Sequence, residues 1–419
     1  MATYNLIYDK LENSLKEHLT HDLIPFWLSM KDPLFGGFYG ARYADGTIET
    51  NHEKGAILNS RILWFFSNCC RLYKSHLIKS DDICGCGYAY DDIKAAADWA
   101  YDFMVRDFLD EKYGGLYWSV KRDGKVSDST KHTYNQAFAI YGLASYYDAS
   151  KDKSALELAY KLFHIIEIKM RDEGGYLESF SRDFEPEKND KLSENGVIAD
   201  RTMNTLLHVM EAYTELYRVT RDEEVKAAIE EILKTHKDCI WDEKLQRQKV
   251  FMDHEYNSII DLYSYGHDIE TSWLMDRTIE ILDDRKIRDE YSDVTSKMLH
   301  EVTNAAFNGS LANECENGVV DERRIWWVQA EAVIGFVNEY MKKSDEEALY
   351  DAVRTWSFIE NHLVMEVFPR EWYSETDKNG IANRTLPVVD EWKCPYHNGR
   401  MCIEIICRGA KLNDTFQVL

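Results

Sequence analysis

The sequence is poor in proline and in positive charge, and it contains no long apolar run. Only six prolines occur in 419 residues, and long stretches repeat with a helical period. No apolar run approaches the roughly 20 residues that span a bilayer. The formal charge of −24 argues against a nucleic acid or an anionic membrane as partner. Neither GxGxxG nor GxxxxGK[ST] occurs, so a neutral small substrate suits the chain better than a phosphorylated one.

The N-terminal segment and the cysteines indicate the compartment. Residues 1–10 lack a basic start and an apolar core, so we expect no secretory signal and a cytoplasmic protein. The nine cysteines are an odd number, which favours reduced thiols over a disulfide framework. The pair Cys84-Gly-Cys86 lacks a second pair at zinc-ribbon spacing, which argues against a metal site there.

Helical stripes and a recurring glycine–aromatic segment predict the fold. One stripe consists of Met203, Leu206, Leu207, Met210, Tyr213 and Tyr217. Gly36-Gly-Phe-Tyr-Gly, Gly114-Gly-Leu-Tyr-Trp and Gly174-Gly-Tyr-Leu-Glu resemble one another and are typical of short strands or hairpins. Weaker counterparts begin near Trp241, Gly309 and Trp372, so the segments recur about every 60 to 80 residues, room for two helices plus loops.

Six such units predict an all-α fold, an (α/α)6 barrel with short β-hairpins in its loops. No linker or break in composition divides the chain, so we expect one catalytic domain over residues 1–419. We expect the segment Ser75–Asp92 to be a polar insertion.

Three histidines in chemically dense segments predict proton transfer. Histidine changes charge near physiological pH, so it can both take and return a proton. In Asn204-Thr-Leu-Leu-His208, the asparagine and the histidine share a helical face that Glu211 and Glu215 continue. This polar face lies either toward water or toward the lumen of a barrel.

His267 and Glu270 lie three residues apart on one helical face, and Gly266 indicates a helix start. A carboxylate beside an imidazole fixes its tautomer and raises its basicity, which predicts a general base oriented by Glu270. The alternatives are a structural ion pair and a two-residue metal clamp. Zinc clamps on one helix favour histidines four apart, and no HExxH occurs.

Aromatic residues beside polar ones favour a carbohydrate pocket. His397 lies in Trp392-Lys-Cys-Pro-Tyr-His-Asn-Gly-Arg, and Trp326-Trp327 precedes Glu331 by one helical turn. Aromatic faces stack on sugar rings, and carboxylates or amides accept hydroxyl protons. Arg61 interrupts an apolar helix and is either a buried ion-pair partner or a substrate donor.

Together these motifs carry a resemblance that runs essentially end to end. Arg61-Ile-Leu-Trp, Asn204-Thr-Leu-Leu-His-Val-Met-Glu, Gly266-His-Asp-Ile-Glu-Thr-Ser-Trp, Trp326-Trp-Val-Gln-Ala-Glu and Lys393-Cys-Pro-Tyr-His-Asn resemble the N-acylglucosamine 2-epimerase superfamily, and within it the cellobiose 2-epimerase branch. The resemblance implies an (α/α)6 barrel and catalysis without a metal or other cofactor. It implies inversion of C2 in the reducing-end sugar of β-1,4-linked disaccharides. Cellobiose would become 4-O-β-glucosyl-mannose, and lactose would become epilactose.

The resemblance also implies the site. His267 and His397 would exchange the C2 proton through a cis-enediolate after ring opening, with Glu270 orienting His267. His208 and Arg61 would bind O1 and O2. The remaining substrate-binding residues would be Asn204, Tyr134, Trp273, Trp326, Trp327, Glu331 and Trp392.

The only partner that we expect is the disaccharide, and we expect a monomer. Three alternatives stay open. They are a monosaccharide aldose–ketose isomerase or mannose 2-epimerase of the same fold, an (α/α)6 glycoside hydrolase, and a sugar-binding protein without activity.

Overall fold

The computed structural model describes residues 2–79, 88–188, 191–192 and 195–412. The Cys84-Gly-Cys86 pair and the middle of the Ser75–Asp92 segment lie outside these residues. No helix within the described ranges has the length and apolar character that crossing a bilayer requires.

Helices dominate the described residues. In chain order they are α1 Ala2–His18, α2 Ile24–Leu28, α3 Ala56–Lys74, α4 Tyr90–Phe103, α5 Thr133–Ser150, α6 Lys153–Lys169, α7 Met203–Thr220, α8 Glu223–Thr235, α9 Tyr265–Leu282, α10 Arg285–Ala306, α11 Trp326–Lys343, α12 Glu346–Phe358 and α13 His397–Leu412. Helices α1, α4, α8 and α12 each continue into a five-residue π-helical turn.

Six helices form a closed inner ring. Helices α3, α5, α7, α9, α11 and α13 each pack against the next, and α13 packs back against α3. Helices α4, α6, α8, α10, α12 and α1 pack on the outside of these six in the same order, so the first helix of the chain covers the last. The predicted (α/α)6 barrel is confirmed. Helix α5 is buried along most of its length because it contacts neighbours on several sides.

Short connections join most inner helices to their outer partners. Four of them have only two residues, a left-handed residue followed by an aspartate whose carboxylate accepts a backbone N–H of the next helix. They are Lys151-Asp152, Arg221-Asp222, Asp283-Asp284 and Ser344-Asp345, with φ of 63°, 58°, 53° and 58° at the first residue. So short a connection forces the outer helix to fold straight back along the inner one.

Long loops return from the outer helices to the inner ring and contain the strands. The strands are β1 Arg42–Tyr43, β2 Lys54–Gly55, β3 Ser119–Val120, β4 Val126–Asp128, β5 Lys131–His132, β6 Arg171–Asp172, β7 Gly175–Tyr176, β8 Ser179–Phe180, β9 Pro186–Glu187, β10 Arg201–Thr202, β11 Trp241–Asp242, β12 Arg247–Gln248, β13 Phe251–Met252, β14 Leu262–Ser264, β15 Glu314–Glu316, β16 Val319–Asp321, β17 Arg324–Ile325, β18 Glu375–Thr376 and β19 Pro387–Val389.

Antiparallel pairing links each loop to the loop of the next unit. Strands β2, β5, β10, β14 and β17, which precede inner helices, pair with β3, β8, β13, β15 and β18, and β19 pairs with β1 to close the ring. Each of the six glycine–aromatic or weaker segments forms the predicted short hairpin. Their bridges are Lys31–Phe38, Leu109–Leu116, Arg171–Tyr176, Trp241–Gln248, Phe307–Leu311 and Val364–Trp372.

Glutamines on the inner helices anchor two of these hairpins. Gln136 of α5 accepts the Leu116 N–H at 2.8 Å and donates to the Leu116 carbonyl at 2.9 Å. Gln329 of α11 makes the same two bonds with Leu311, at 2.8 and 2.7 Å. The loops therefore gather at the end of the barrel where the inner helices begin, and the first turns of those helices face one opening.

Candidate active site

A cavity of about 380 Å³ opens at the hairpin end of the barrel. That volume lies within the range of roughly 300–1,000 Å³ that small-molecule pockets occupy. Ten of the twelve predicted site residues line it: Arg61, Tyr134, Asn204, His208, His267, Glu270, Trp326, Trp327, Trp392 and His397. They come from all six inner helices and one loop, so the fold brings together positions that are far apart in the sequence.

The other two predicted residues, Trp273 and Glu331, lie behind the cavity wall. Trp273 is fully buried, and its indole N–H donates to Glu331 Oε2 at 2.8 Å. The other oxygen, Glu331 Oε1, accepts a hydrogen bond from His397 Nδ1 at 2.7 Å. The structure therefore places both residues as supports of His397 and not at the cavity surface, where sugar contacts were predicted.

His397 begins α13 and presents a neutral imidazole to the cavity. A carboxylate only accepts hydrogen bonds, so the bond to Glu331 places the proton on Nδ1 and leaves the lone pair on Nε2. Burial, followed by the positive charge of Arg400, lowers the pKa of His397 well below its usual value. Trp326 packs edge-on against the ring, with 5.3 Å between ring centroids.

His208 on α7 has the same arrangement with a different carboxylate. Its Nδ1 donates to Glu211 Oε2 at 2.9 Å, and both side chains are buried. Burial raises the pKa of Glu211, but the charge of Arg400 and the bond from His208 outweigh that effect and hold it at about 2. The polar face of α7 therefore lies toward the lumen of the barrel and not toward water.

His267 on α9 does not pair with Glu270, contrary to the sequence-based expectation. Its Nδ1 shares a hydrogen bond with Ser264 Oγ at 2.7 Å. Burial lowers the pKa of His267 to about 3. Its ring lies 4.7 Å from that of Trp327, and a Cβ on Gly266 would meet Trp327 at 2.6 Å. Glycine at this position therefore lets Trp327 approach the start of α9.

Arg400, and not His267 as predicted, is the hydrogen-bond partner of Glu270. Its guanidinium is fully buried and donates to Glu270 Oε1, to Glu211 Oε1 at 2.5 Å and to Glu331 Oε1 at 2.7 Å. Arg400 and Tyr396, whose hydroxyl donates to Glu211, occur in the quoted Trp392–Arg400 motif, but no role was predicted for either. Their spacing of four residues before an apolar helical stretch was the available signal.

Glu270 retains one oxygen for the cavity it lines. Within the part of the chain that the structure describes, Glu270 Oε2 is buried and has no hydrogen-bond partner. Burial, followed by the charge of Glu331, raises the pKa of Glu270 to about 7. This carboxyl group therefore gains and loses a proton near neutral pH, which suits it to share a proton with a sugar hydroxyl.

The same cluster does not fit a metal ion. Glu270, Glu331 and His397 offer ligand atoms within 4.8 Å of one another. However, Nη2 of Arg400 already donates to both carboxylates. A cation there would face that buried positive charge, which disfavours metal binding.

Arg61 lies at the cavity among neutral partners, so its positive charge remains available to a ligand. Its Nη2 donates to the Tyr134 hydroxyl at 2.9 Å and its Nη1 donates to the Trp392 carbonyl at 3.2 Å. The guanidinium stacks over Phe138 at 4.1 Å and over Tyr396 at 4.5 Å. Because these partners are neutral, the geometry favours a substrate donor over a buried ion pair.

A sequence profile of known proteins matches most of the chain. The profile of N-acylglucosamine 2-epimerase (GlcNAc 2-epimerase) matches residues 37–397, a span that contains every predicted site residue. The chain belongs to this family.

Within this family, the chain is similar to proteins named cellobiose 2-epimerase. A cellobiose 2-epimerase of Ruminococcus albus is 41% identical over 401 residues, which cover 96% of this chain and 99% of the relative. The structure of a cellobiose 2-epimerase from Bacillus thermoamylovorans B4167 has a TM-score of 0.88 and 38% identity, covering 96% of this chain and all of that one. A D-mannose isomerase structure, with a TM-score of 0.77 and 18% identity, shows only a shared fold.

Proposed function

We propose that this chain is an isomerase that inverts C2 of the reducing-end sugar in β-1,4-linked disaccharides. Cellobiose would become 4-O-β-glucosyl-mannose, and lactose would become epilactose. The observation that carries the proposal is a pair of uncharged imidazoles, His267 and His397, on different helices of one cavity. Both rings pack on Trp327, at 4.7 and 5.5 Å. The full-length relatives named cellobiose 2-epimerase support the same substrate.

The reaction begins with opening of the hemiacetal ring, because the C2 proton becomes acidic only beside a C1 aldehyde. His208 and Arg61 lie together near O1 and O2 in this proposal, joined through Tyr134. Tyr134 accepts from Arg61 at 2.9 Å and packs edge-on against His208 at 5.0 Å. Asn204, one turn before His208 on α7, adds an amide to the same wall.

The C2 proton then leaves one face and a proton returns to the other. Each positioned acid–base group contributes about 10²–10⁴-fold to the rate. His397 offers Nε2 as a base, and His267 is uncharged at neutral pH because its pKa lies at about 3. Between the two transfers the sugar is a cis-enediolate, whose negative charge Arg61 stabilises electrostatically.

A second sugar lies beyond this centre, where the cavity wall becomes aromatic. Trp392 packs near Trp118 at 5.8 Å and near Tyr134 at 6.1 Å, and its partly buried side chain lines the cavity. Aromatic faces stack on the apolar faces of sugar rings. This surface favours a disaccharide over the monosaccharide substrates of the alternative, an aldose–ketose isomerase or mannose 2-epimerase.

A glycoside hydrolase would need two carboxyl groups on opposite sides of the scissile bond. Glu270 and Glu331 both bind the same Arg400 nitrogen, so they lie on one side of the cavity. This pair therefore does not provide the arrangement that hydrolysis needs, and the assay for glucose release tests the other carboxyl groups that line the cavity.

Turnover in D2O, followed by NMR with cellobiose, lactose and mannose, tests the proposal. We expect deuterium at C2 of a mannose-type product from both disaccharides. Deuterium at C1 of a ketose would establish the isomerase alternative, and glucose release would establish hydrolysis. Full activity in His267→Ala and His397→Ala variants would reject the assignment of the two bases.

A further inference from the structure

We propose that Arg400 is a positioning residue that fixes the proton on Nδ1 of both His208 and His397. It acts through Glu211 and Glu331, one carboxylate for each imidazole. The consequence for catalysis rests on the function proposed above, but the arrangement itself is tested without turnover.

The geometry joins two sites that come from different helices. Arg400 Nη1 binds Glu211 Oε1 at 2.5 Å, and the other oxygen of Glu211 accepts from His208 at 2.9 Å. Arg400 Nη2 binds Glu331 Oε1 at 2.7 Å, and the same oxygen accepts from His397 at 2.7 Å. One planar guanidinium therefore orients both carboxylates, a task for which its fixed fork of donors is suited.

Charged and titratable groups face Arg400 from every inner helix except α3. The charged residue of α3 is Arg61, which lies over the Tyr396 ring at 4.5 Å. They are Tyr141 on α5, Glu211 on α7, Glu270 on α9, Glu331 on α11, and Tyr396 and His397 on α13. Three buried carboxyl groups thus share one guanidinium. Its charge lowers the pKa of Glu211 and opposes the rise that burial causes in the pKa of Glu270 and of Glu331. It also lowers the pKa of His397 further than burial alone does.

Removal of this cation would change the proton positions in a defined direction. A buried carboxylate without a counter-charge takes up a proton, because burial disfavours its charged form. A protonated Glu331 donates to Nδ1 of His397 instead of accepting from it, which moves the imidazole proton to Nε2. The nitrogen that faces the cavity then has no lone pair, so it cannot remove the C2 proton.

The first test measures the wild-type protein without substrate. Long-range 15N–1H NMR of the imidazoles distinguishes a protonated Nδ1 from a protonated Nε2, and His208→Asn and His397→Asn variants assign the signals. We expect Nδ1–H in both rings at pH 7. An Nε2–H tautomer in either ring would overturn the proposal, whatever the enzyme does to cellobiose.

The second test compares Arg400→Gln and Arg400→Lys with Arg408→Gln. Arg408 is a buried arginine two turns further along α13, and it donates to Asn338 at 2.9 Å. It has no hydrogen bond to Glu211, Glu331 or Ser264, which hold the three histidines, so its substitution controls for the loss of a buried cation alone. In Arg400→Gln we expect kcat to fall about 10²–10⁴-fold, the contribution of a positioned acid–base group, with KM changed less than about threefold. The lysine variant should lie between, since it keeps the charge but not the fork.

The pH profile separates positioning from plain structural damage. Without Arg400 the pKa of His397 rises, so the acid limb of kcat/KM should move to higher pH in Arg400→Gln. If that variant does not fold, the lysine variant should show the same shift in smaller measure. An unmoved acid limb in the folded variants, or a loss of kcat no larger than that of Arg408→Gln, would refute the role.

Discussion

Glu331→Gln is the sharpest single test of how the site holds its base. The substitution keeps the size of the side chain, but it removes the charge that accepts the His397 Nδ1 proton at 2.7 Å. The amide also offers an NH2 group, which donates to Nδ1 and leaves Nε2 protonated toward the cavity. We expect a folded protein whose proton transfer at C2 is strongly impaired.

The magnitude follows from the hydrogen bond and the tautomer. A hydrogen bond to a charged group contributes about 1.5–3 kcal/mol, which alone corresponds to a rate loss of about 10- to 150-fold if it acts in the transition state. The corresponding carboxylate-to-amide change in a Ser-His-Asp triad costs about 10⁴-fold because the tautomer is wrong. We therefore expect kcat to fall between about 10²- and 10⁴-fold.

The assay is the wash-in of deuterium at C2 of lactose or cellobiose in D2O, followed by 1H NMR. It records proton removal whichever face receives the proton afterwards. Glu339→Gln is the matched control, since Glu339 is a buried glutamate two turns along the same helix that accepts from Ser296 at 3.1 Å. We expect its exchange rate to stay within about threefold of wild type.

Two results would refute the reasoning. One is a Glu331→Gln variant that exchanges deuterium within about threefold of the wild-type rate. The other is a Glu331→Gln/His397→Asn double variant whose loss equals the product of the two single losses, because residues that act as a unit are not additive.

Three further predictions concern stability and binding. Glu270→Gln should stabilise the protein at pH 8 by up to about 3 kcal/mol, measured by urea unfolding. The reason is that the pKa of Glu270 is about 7, against an ordinary 4.5, so its ionisation destabilises the folded state as pH rises from about 4.5 through 7. The gain in stability should therefore vanish at pH 4. Equal gains at pH 4 and pH 8 would contradict this prediction. Trp392→Ala should raise KM for cellobiose about 2- to 10-fold at unchanged kcat, since a lost aromatic contact costs about 0.5–1.5 kcal/mol; an unchanged KM would exclude stacking on this ring. Asp284→Ala, which removes the N-cap of α10, should lower stability by about 1 kcal/mol in thermal unfolding and leave turnover unchanged, and an unaltered melting temperature would show that the cap is dispensable.

The sequence predicted the architecture well because the signals for it are local. An apolar stripe marks α7 as a helix, and a short hairpin before each inner helix recurs about every 60 to 80 residues. Positive φ at Gly36 and Gly114, of 86° and 80°, is a local requirement that glycine meets without strain. The residues that line the lumen were harder to predict. A polar helical face such as that of His208 and Glu211 has the same sequence pattern whether it faces water or the interior of a barrel.

The hydrogen-bond partners within the site show most clearly what the sequence could not predict. The pairs His208–Glu211 and His267–Glu270 have the same spacing, three residues on one helical face. Only the first pair forms, at 2.9 Å, while Glu270 turns to Arg400 from a helix 130 residues away. The sequence by itself determined the helices, their sixfold repetition and the set of imidazoles and carboxylates available for proton transfer. Which carboxylate holds which imidazole was decided only by tertiary structure, because a buried carboxylate binds the strongest donor within reach, and helix packing alone places Arg400 there.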